Sequence, residues 1–356
     1  MSFERIVEQG HETVVHCHDR ATGMRAIIAL HDTTLGPGLG GTRFRQYVDD
    51  HEALSDVLRL SRGMTYKNAA AGLDLGGGKA VLLGDPRTDR TPALFEAYGR
   101  AVHRLGGAYL TAEDVGTTQA DMDVLQRVTP HVTGTTSGSG DPSPATAWGV
   151  FHAVGATLSF LGDDVERLDG RHVVVVGVGK VGGALVRHLV AAGAEVTVSD
   201  LDPVRVTDLA VELGVAIVGP ELAHRVPCDV LAPCALGAGL HAGTIPELAC
   251  RAVVGAANNQ LAEPADAARL AAAGVLYAPD FVVNAGGVIN IAEELGPEGY
   301  DRDRARLAVE RIAATTTRVL QLARVEAITT EAAAERLADH RIQAARERSA
   351  PGRAST

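Results

Sequence analysis

Residues 172–200 read HVVVVGVGKVGGALVRHLVAAGAEVTVSD, which parses as a strand, a glycine turn, a helix and a second strand. The run Val173–Val176 has the unbroken apolar character of a central parallel strand, covered on both faces. It leads into Gly177-Val178-Gly179-Lys180-Val181-Gly182, a GxGxxG. The first glycine of that motif permits a tight turn, the second lets a pyrophosphate approach the backbone, and the third lets the helix pack on the strand. The helix start offers free N–H groups to phosphate. Asp200 ends the second strand 23 residues after Gly177, the reach needed for the adenosine ribose hydroxyls. A carboxylate there repels a 2′-phosphate, so the reading is NAD rather than NADP. A lone GxGxxG is weak; the strand before it and the helix after it make it specific. Two plainer readings remain: a glycine turn with no ligand, and Asp200 as a strand-end cap.

The rest of the chain is read outward from this unit. Its 356 residues suggest two domains. With 46% hydrophobic and 22% charged residues, wholesale disorder is out. The net charge of −11 argues against nucleic acid and anionic membranes, which demand a basic surface, and 4% aromatics argues against base stacking. Cys17, Cys228, Cys234 and Cys250 form no CxxC and no zinc spacing. The start, MSFERIVEQGHETVV, lacks a signal-peptide pattern, and no apolar run is long enough for a membrane span. The expectation is a cytoplasmic protein with free thiols.

Before the Rossmann unit, strands are expected at 12–17, 24–31, 79–83 and 108–111, and helices at 51–71 and 92–105. The segment 133–144, TGTTSGSGDPSP, reads as a linker, and a helix follows at 145–161. Further strands are expected at 228–233, 251–255 and 275–278. Residues 302–347 read as helical, with Thr329 or Thr330 capping the last helix and Glu331 in its first turn; the tail from Ser349 reads as frayed.

In the first half, Ala53, Val57, Leu60, Met64 and Lys67 recur at helical steps, which aims Lys67 along an apolar stripe. A lysine there is desolvated unless it is paired, deprotonated or snorkelling. Gly76-Gly77-Gly78-Lys79 starts a buried strand, and three glycines allow a chain or ligand to approach the backbone. A P-loop is excluded, because Leu73 falls where its first glycine belongs and Ala80 where Ser or Thr belongs. Two nearby ammonium groups suit one lysine to act as a base and the other to hold a carboxylate. Asp114, in AEDVG just past a strand, reads equally as a loop cap or a catalytic carboxylate.

These motifs together resemble a known family. GPGLGGTR (36–43), MTYKNAAAGLDLGGGKAV (64–81), TAEDVGTT (111–118), DPSPATAWGV (141–150), GVGKVGG (177–183), APCALGA (232–238), GAANNQL (255–261) and NAGGVIN (284–290) are similar, in order, to blocks of the glutamate/leucine/phenylalanine/valine dehydrogenases. The leucine and valine branch is nearest. The resemblance implies an α/β protein of two domains with a cleft between: an N-terminal substrate domain with a mixed sheet, residues 1–138 plus helices returning over about 325–350, and a C-terminal Rossmann NAD-binding domain, 139–324. The segment 133–144 and the start of the C-terminal helices would be its hinges. It implies reversible NAD-dependent oxidative deamination of an L-amino acid to a 2-oxo acid and ammonium, by an enzyme that self-associates as a homo-oligomer. Hydride leaves Cα, water adds to the resulting iminium, and ammonia departs.

By the same resemblance Lys67 binds the substrate carboxylate, Lys79 activates water, and Asp114 shuttles protons with the amino group. Thr146 meets the nicotinamide amide, and Asn258, Asn259 and Asn284 line nicotinamide and substrate. In glutamate-specific members a lysine stands at the position of Leu39 and a serine at that of Ile291. Val288 and Ile291 share a helical face, and with Leu39, Gly40 and Ala112 they would make a small uncharged pocket. A buried carboxylate without a cation is costly there, so leucine, valine and isoleucine fit best. The other readings are a phenylalanine-type dehydrogenase and a catalytically silent NAD-binding regulator; the joint presence of Lys67, Lys79 and Asp114 weighs against the regulator.

Several signals are set aside. His16 and His18 read as an exposed strand face near His11, Cys228 and Cys234 as small core residues, Asp121 and Asp123 as solvent-facing, and the charges of 293–311 as a solvated helical face.

Overall fold

Side chains alternate across a strand, and strand Met24–Leu30 buries both sets apart from the exposed Arg25. Met24, Ala26, Ile28 and Leu30 join one core with Phe44, Leu82, Phe95 and Tyr98. Ile27 and Ala29 join another with Val57, Leu58 and Val81. A sheet with two apolar faces needs a helix layer on each.

The computed structural model describes residues 2–163, 168–235 and 237–349; the expected fraying of the tail beyond Ser349 lies outside them. The chain divides into two units. The first comprises the described residues up to Asp141, Ile291–Asp301, and those from Ala338 on; the second comprises Pro142–Asn290 and Arg302–Leu337.

In the first unit, helix α1 (Ser2–Glu8) precedes strands β1 (Thr13–Asp19), β2 (Met24–Leu30), β3 (Gly38–Leu39) and β4 (Thr42–Arg45). Then come α2 (Asp50–Ala70), β5 (Gly76–Leu83), α3 (Pro92–His103), β6 (Tyr109–Leu110) and α4 (Gln119–Gln126). The sheet is mixed, in the order β1-β2-β5-β3-β6 with β4 also paired to β5. Strands β1, β2 and β5 pair antiparallel, and β3 and β4 run parallel to β5. Helix α2 covers one face, α3 and α4 the other.

The second unit holds α5 (Ser143–Phe160), β7 (His172–Val176), α6 (Lys180–Ala191), β8 (Glu195–Ser199), α7 (Pro203–Leu213), β9 (Ala216–Ile217), β10 (Cys228–Pro233), β11 (Cys250–Val253), α8 (Ala265–Ala272), β12 (Leu276–Tyr277) and α9 (Asp280–Val283). Helix α10 (Gly286–Ala292) runs across the division, α11 (Arg302–Glu310) and α12 (Ile312–Glu326) follow, and α13 (Thr330–Ser349) crosses back. The sheet is parallel, ordered β12-β11-β10-β7-β8-β9. This is the doubly wound order whose ligand crevice opens at the reversal between β7 and β10.

The structure departs from the sequence reading at several points. Strand β5 begins at Gly76, not Lys79. Its three glycines are approached by this chain's own groups: a Cβ on Gly77 would lie 2.0 Å from Thr65 Oγ1 on α2, and one on Gly78 would lie 2.7 Å from the Tyr109 ring. The buried stripe of α2 is Ala53, Leu54, Val57, Leu58, Ser61, Thr65 and Asn68. Leu60, Met64 and Lys67 flank it, half-buried, so Lys67 stands at the margin of the helix–sheet contact. Residues 293–311 are a short 3₁₀ turn, a loop and α11, not one helix. Glu294 there accepts from the Gly134 and Ser139 N–H groups at 2.9 and 2.7 Å. Asp121 is buried rather than solvent-facing: it closes a capping box with Thr118 and pairs with Arg90. His11 is buried, with Nε2 on Leu58 O and Ser61 Oγ, while His16 and His18 are exposed. Of the C-terminal helices, α11, α12 and the first eight residues of α13 go with the second unit. The remaining twelve, from Ala338, return to the first, where Ala338 and Ile342 pack on Ala69. Among the described residues no helix is long and apolar enough to cross a membrane.

Thr329 Oγ1 accepts from the Ala332 N–H at 3.2 Å and caps α13. Glu331, in that first turn, is half-buried, and its buried Oε2 lacks a hydrogen-bond partner. Burial first, then the Asp280 and Glu335 carboxylates, push its acid up to about 8. The unfolded chain ionises this group near about 4.3, so the fold loses stability as pH rises from there to about 8. Glu331→Gln is therefore expected to raise the unfolding temperature, by a margin that grows between pH 5 and pH 8 and is flat above. Thermal scans across that range check this; a margin independent of pH would refute it.

Candidate active site

In the first unit the chemistry lies on the α2 face of the mixed sheet. Period two puts Lys79 on the same face of β5 as Gly77 and Val81, the face α2 covers. A cation buried there needs a partner, and Lys79 Nζ lies 3.0 Å from Asp114 Oδ2, its side chain 7% exposed.

Asp114 reaches that position because glycines clear its path. A Cβ on Gly41 would lie 2.4 Å from Glu113 O and 2.9 Å from Asp114 Cβ; one on Gly116 would meet Phe44 O at 1.8 Å. The loop is then pinned from below. Thr42 N–H donates to Ala112 O, Phe44 N–H to Val115 O, and Thr117 Oγ1 to Thr42 O. Buried hydroxyls continue the network: Thr42 Oγ1 lies 2.6 Å from both Tyr98 Oη and Thr111 Oγ1, and Tyr109 donates to Gly40 O at 2.6 Å.

The sequence reading did not single out Arg43. Its Nε donates to Asp114 Oδ2 at 3.1 Å, and its Nη1 donates to Asp56 Oδ2 on α2 at 3.1 Å. Tyr47 and Arg59 also donate to Asp56. Burial pushes the Asp114 acid up, but the charges of Lys79 and then Arg43 outweigh it and hold the group below the usual carboxylate range. Asp114 is thus an ionised acceptor shared by two cations, with the Val115 backbone N–H of its own loop a lesser contribution.

Lys67 lies on α2 one turn after Met64, whose Cγ is 3.1 Å from the position of a Cβ on Gly40. Leu39, Gly40 and Ala112 are all buried in the same part of this unit, where Gly40 N–H donates to Leu110 O. Leu39 is 1% exposed, and its carbonyl accepts from Asn68 Nδ2. Val288 and Ile291 lie a turn apart on α10, half-buried and buried respectively.

In the second unit each glycine of the turn has a distinct geometry. Gly177 has φ +93°, and a Cβ there would lie 2.7 Å from Ala235 N. A Cβ on Gly182 would lie 1.9 Å from Gly177 O, whereas one on Gly179 would meet nothing within 4 Å. The open space is over the second glycine, where a pyrophosphate needs it. Gly179 caps α6 without any side-chain hydrogen bond, which leaves the first N–H groups of the helix for an anion. Lys180 is exposed and Val181 half-buried in that first turn. Asp200 Oδ2 accepts from Val178 N–H at 2.7 Å and Oδ1 from Asp202 N–H at 2.9 Å, and Arg205 Nη1 lies 3.5 Å from Oδ1. Each carboxylate oxygen keeps capacity for a ribose hydroxyl. A cavity of about 320 Å³ opens at the strand ends, lined by Val176, Pro220, Pro233, Ala235, Leu240 and Gln260 among others.

The asparagines divide. Asn284 Nδ2 donates to Asn258 Oδ1 at 2.9 Å and to Ala256 O at 3.1 Å, while its own buried Oδ1 has no partner. An orphaned acceptor of this kind suits a carboxamide N–H₂. Thr146 Oγ1 donates to Pro142 O and lies 2.8 Å from the position of a Cβ on Gly287, three residues beyond Asn284. Asn259 stands apart: its backbone is left-handed, its carbonyl accepts from Ala238 N–H, and its side chain is exposed. The unit thus fits a dinucleotide at its phosphate turn, its ribose carboxylate and its carboxamide acceptor.

A sheet of this kind can hold a nucleotide that accepts hydride, and a buried lysine–carboxylate pair can relay protons shielded from water. A chain with both is, by class, a pyridine-nucleotide-dependent oxidoreductase. Residues 11–131 match the Glu/Leu/Phe/Val dehydrogenase dimerisation domain, residues 205–349 the Glutamate/Leucine/Phenylalanine/Valine dehydrogenase model, and residues 165–237 an NAD(P)-binding model. The chain belongs to the glutamate/leucine/phenylalanine/valine dehydrogenase family and is an NAD-dependent amino-acid dehydrogenase. It is 47% identical to leucine dehydrogenase of Geobacillus stearothermophilus, over 98% of this chain and 95% of that one. It is 49% identical to valine dehydrogenase of Streptomyces coelicolor, over 95% and 94%. Among solved structures, L-tryptophan dehydrogenase from Nostoc punctiforme superposes with a TM-score of 0.86 at 41% identity, covering 97% of this chain and 99% of that one.

Asp200 carries a prediction of its own. Replacing it by serine would remove a charge placed to repel a 2′-phosphate and leave Arg205 paired with Asp202 alone. The preference for NAD over NADP, read as a ratio of kcat/KM, is expected to fall by at least about tenfold. An unchanged ratio would move the discrimination to another residue.

Proposed function

We propose that this chain catalyses the reversible, NAD-dependent oxidative deamination of a branched-chain aliphatic L-amino acid, leucine, valine or isoleucine, to its 2-oxo acid and ammonium. The observation that carries the reading is the buried contact of Lys79 Nζ with Asp114 Oδ2 at 3.0 Å: a proton donor and an ionised acceptor held together on an apolar sheet face.

NAD, when bound, supplies the hydride acceptor; Gly177, Gly179, Lys180, Val181, Gly182 and Asp200 would hold its adenosine and phosphates, and Thr146, Asn258 and Asn284 its nicotinamide. The substrate carboxylate goes to the Lys67 ammonium, a mobile point charge. Asp114 takes a proton from the substrate ammonium, so that the nitrogen lone pair can assist departure of the α-hydrogen. Lys79 stabilises charge on the substrate carbon and then serves as the base for the water that adds to it. Asp114 returns a proton to the nitrogen as ammonia leaves. Asn259, by this reading, lines the substrate.

The side-chain pocket is assigned to Leu39, Gly40, Ala112, Val288 and Ile291, none of which can meet a carboxylate. Differences among small aliphatic substrates in such a pocket amount to about 1–3 kcal/mol. The dimerisation-domain match over residues 11–131 supports a homo-oligomer, and a cytoplasmic location fits an enzyme that draws on NAD and free amino acids.

The test is a substrate panel with NAD at alkaline pH, followed by NADH absorbance: L-leucine, L-valine, L-isoleucine, L-phenylalanine, L-tryptophan and L-glutamate. The aliphatic three are expected to give the highest kcat/KM. Turnover with glutamate alone would sink the pocket argument, preference for an aromatic would favour a wider pocket, and no turnover at all would favour a silent regulator.

A further inference from the structure

Cys228 and Cys250 open neighbouring strands of the parallel sheet and are direct Cα partners in the β10–β11 register. Residues so paired lie on one face of a sheet. Both thiols are half-buried against the same apolar cluster, which includes Val174, Leu231 and Val253, and both are free. Adjacent strands lie about 4.8 Å apart, within the Cα separation of about 4.4–6.8 Å that a disulfide spans. The other two cysteines do not compete. Cys17 lies on β1 in the first unit, and Cys234 follows the far end of β10.

We propose that Cys228 and Cys250 are a cross-strand dithiol that a low-molecular-weight disulfide oxidises to an intramolecular disulfide. In the first step one cysteine thiolate attacks a sulfur of the small disulfide, forming a mixed disulfide and releasing one small thiol. In the second the other cysteine thiolate attacks the protein sulfur of that mixed disulfide, forming the Cys228–Cys250 bond and releasing the second small thiol. The protein loses two electrons and two protons, and the small disulfide gains them. Burial pushes Cys250 up to about 11 and Cys228 up to about 12, the latter raised further by its neighbour, so exchange is slow at neutral pH and quickens with alkali. The bridge closes the segment 228–250, which carries Ala235, Leu240 and Thr244 of the strand-end cavity.

The intact enzyme is incubated with oxidised glutathione at pH 9, then its thiols are titrated under denaturing conditions and its peptides mapped by mass spectrometry. Two of the four thiols are expected to disappear, with a mass loss of two hydrogens and a linked peptide pair containing Cys228 and Cys250. The unfolding temperature should rise by several degrees, a rise that dithiothreitol abolishes. A Cys17→Ser, Cys234→Ser double variant should bridge fully. Cys250→Ser should instead retain glutathione on Cys228. Persistence of four thiols, stable glutathione adducts on both Cys228 and Cys250, or bridges between chains would overturn the proposal.

Discussion

Lys79→Ala is expected to lower kcat about 10²–10⁴-fold, the range of a positioned acid–base group, while NAD affinity measured by fluorescence or calorimetry stays within about twofold. The two readouts separate because Lys79 belongs to the first unit and the glycine turn to the second. The alanine removes the base for water addition and leaves Asp114 with Arg43 as its only cation among these contacts. Lys79→Arg discriminates charge from proton transfer: guanidinium restores the ion pair but cannot act as a base at any working pH, so activity should remain close to that of the alanine variant. Near-normal turnover in either would end the assignment of Lys79.

Asp114→Asn should be comparably severe, and its pH dependence is the more telling measurement. The carboxylate is held below its ordinary range, so in the parent enzyme it is ionised throughout the neutral and alkaline region. The amide cannot take a proton from the substrate ammonium. Its kcat/KM is expected to fall about 10²–10⁴-fold near neutrality and to recover part of that loss at alkaline pH, where the substrate amine arrives already deprotonated. The stability consequence has the opposite sense. A depressed carboxylate stabilises the fold above its unfolded pKa and loses that contribution as pH falls through the folded value. Asp114→Asn should therefore destabilise the first unit at pH 7 and have progressively less effect in acid. A flat activity ratio across pH would remove Asp114 from proton transfer and leave it a structural partner of Lys79.

What could be read from the chain alone follows the range of the interactions. The βαβ unit at 172–200 is local: strand, turn, helix and carboxylate lie within one short stretch, and each glycine's geometry matches its place in the motif. Lys79 and Asp114 were singled out separately, but their contact joins segments brought together only by the sheet. Arg43 was missed for that reason, since its partners Asp56 and Asp114 lie 13 and 71 residues away. The local pattern pointed the other way: Arg43 and Arg45 alternate with the buried Thr42 and Phe44, which reads as a solvent-facing arginine side until the carboxylates of distant segments are placed against it. Asp121 was misread although Thr118 stands three residues before it, the spacing of a capping box. The stripe on α2 slipped because Leu60 and Met64 were weighted as apolar, whereas Ser61, Thr65 and Asn68 are buried: Ser61 and Thr65 donate back along the helix to Val57 O and Ser61 O, and Asn68 donates to Gly76 O of β5.

The loop that carries Asp114 has its room from side chains that are missing at 41 and 116, and the strand that carries Lys79 sits against α2 and Tyr109 because side chains are missing at 77 and 78. For an engineer seeking a new substrate range, these glycines are therefore poor targets for randomisation, since even a methyl group there displaces the machinery itself. On the pocket proposed above, a library would vary 39, 112, 288 and 291 while holding the glycines constant, with a folding readout beside activity because Leu39, Ala112 and Ile291 are buried.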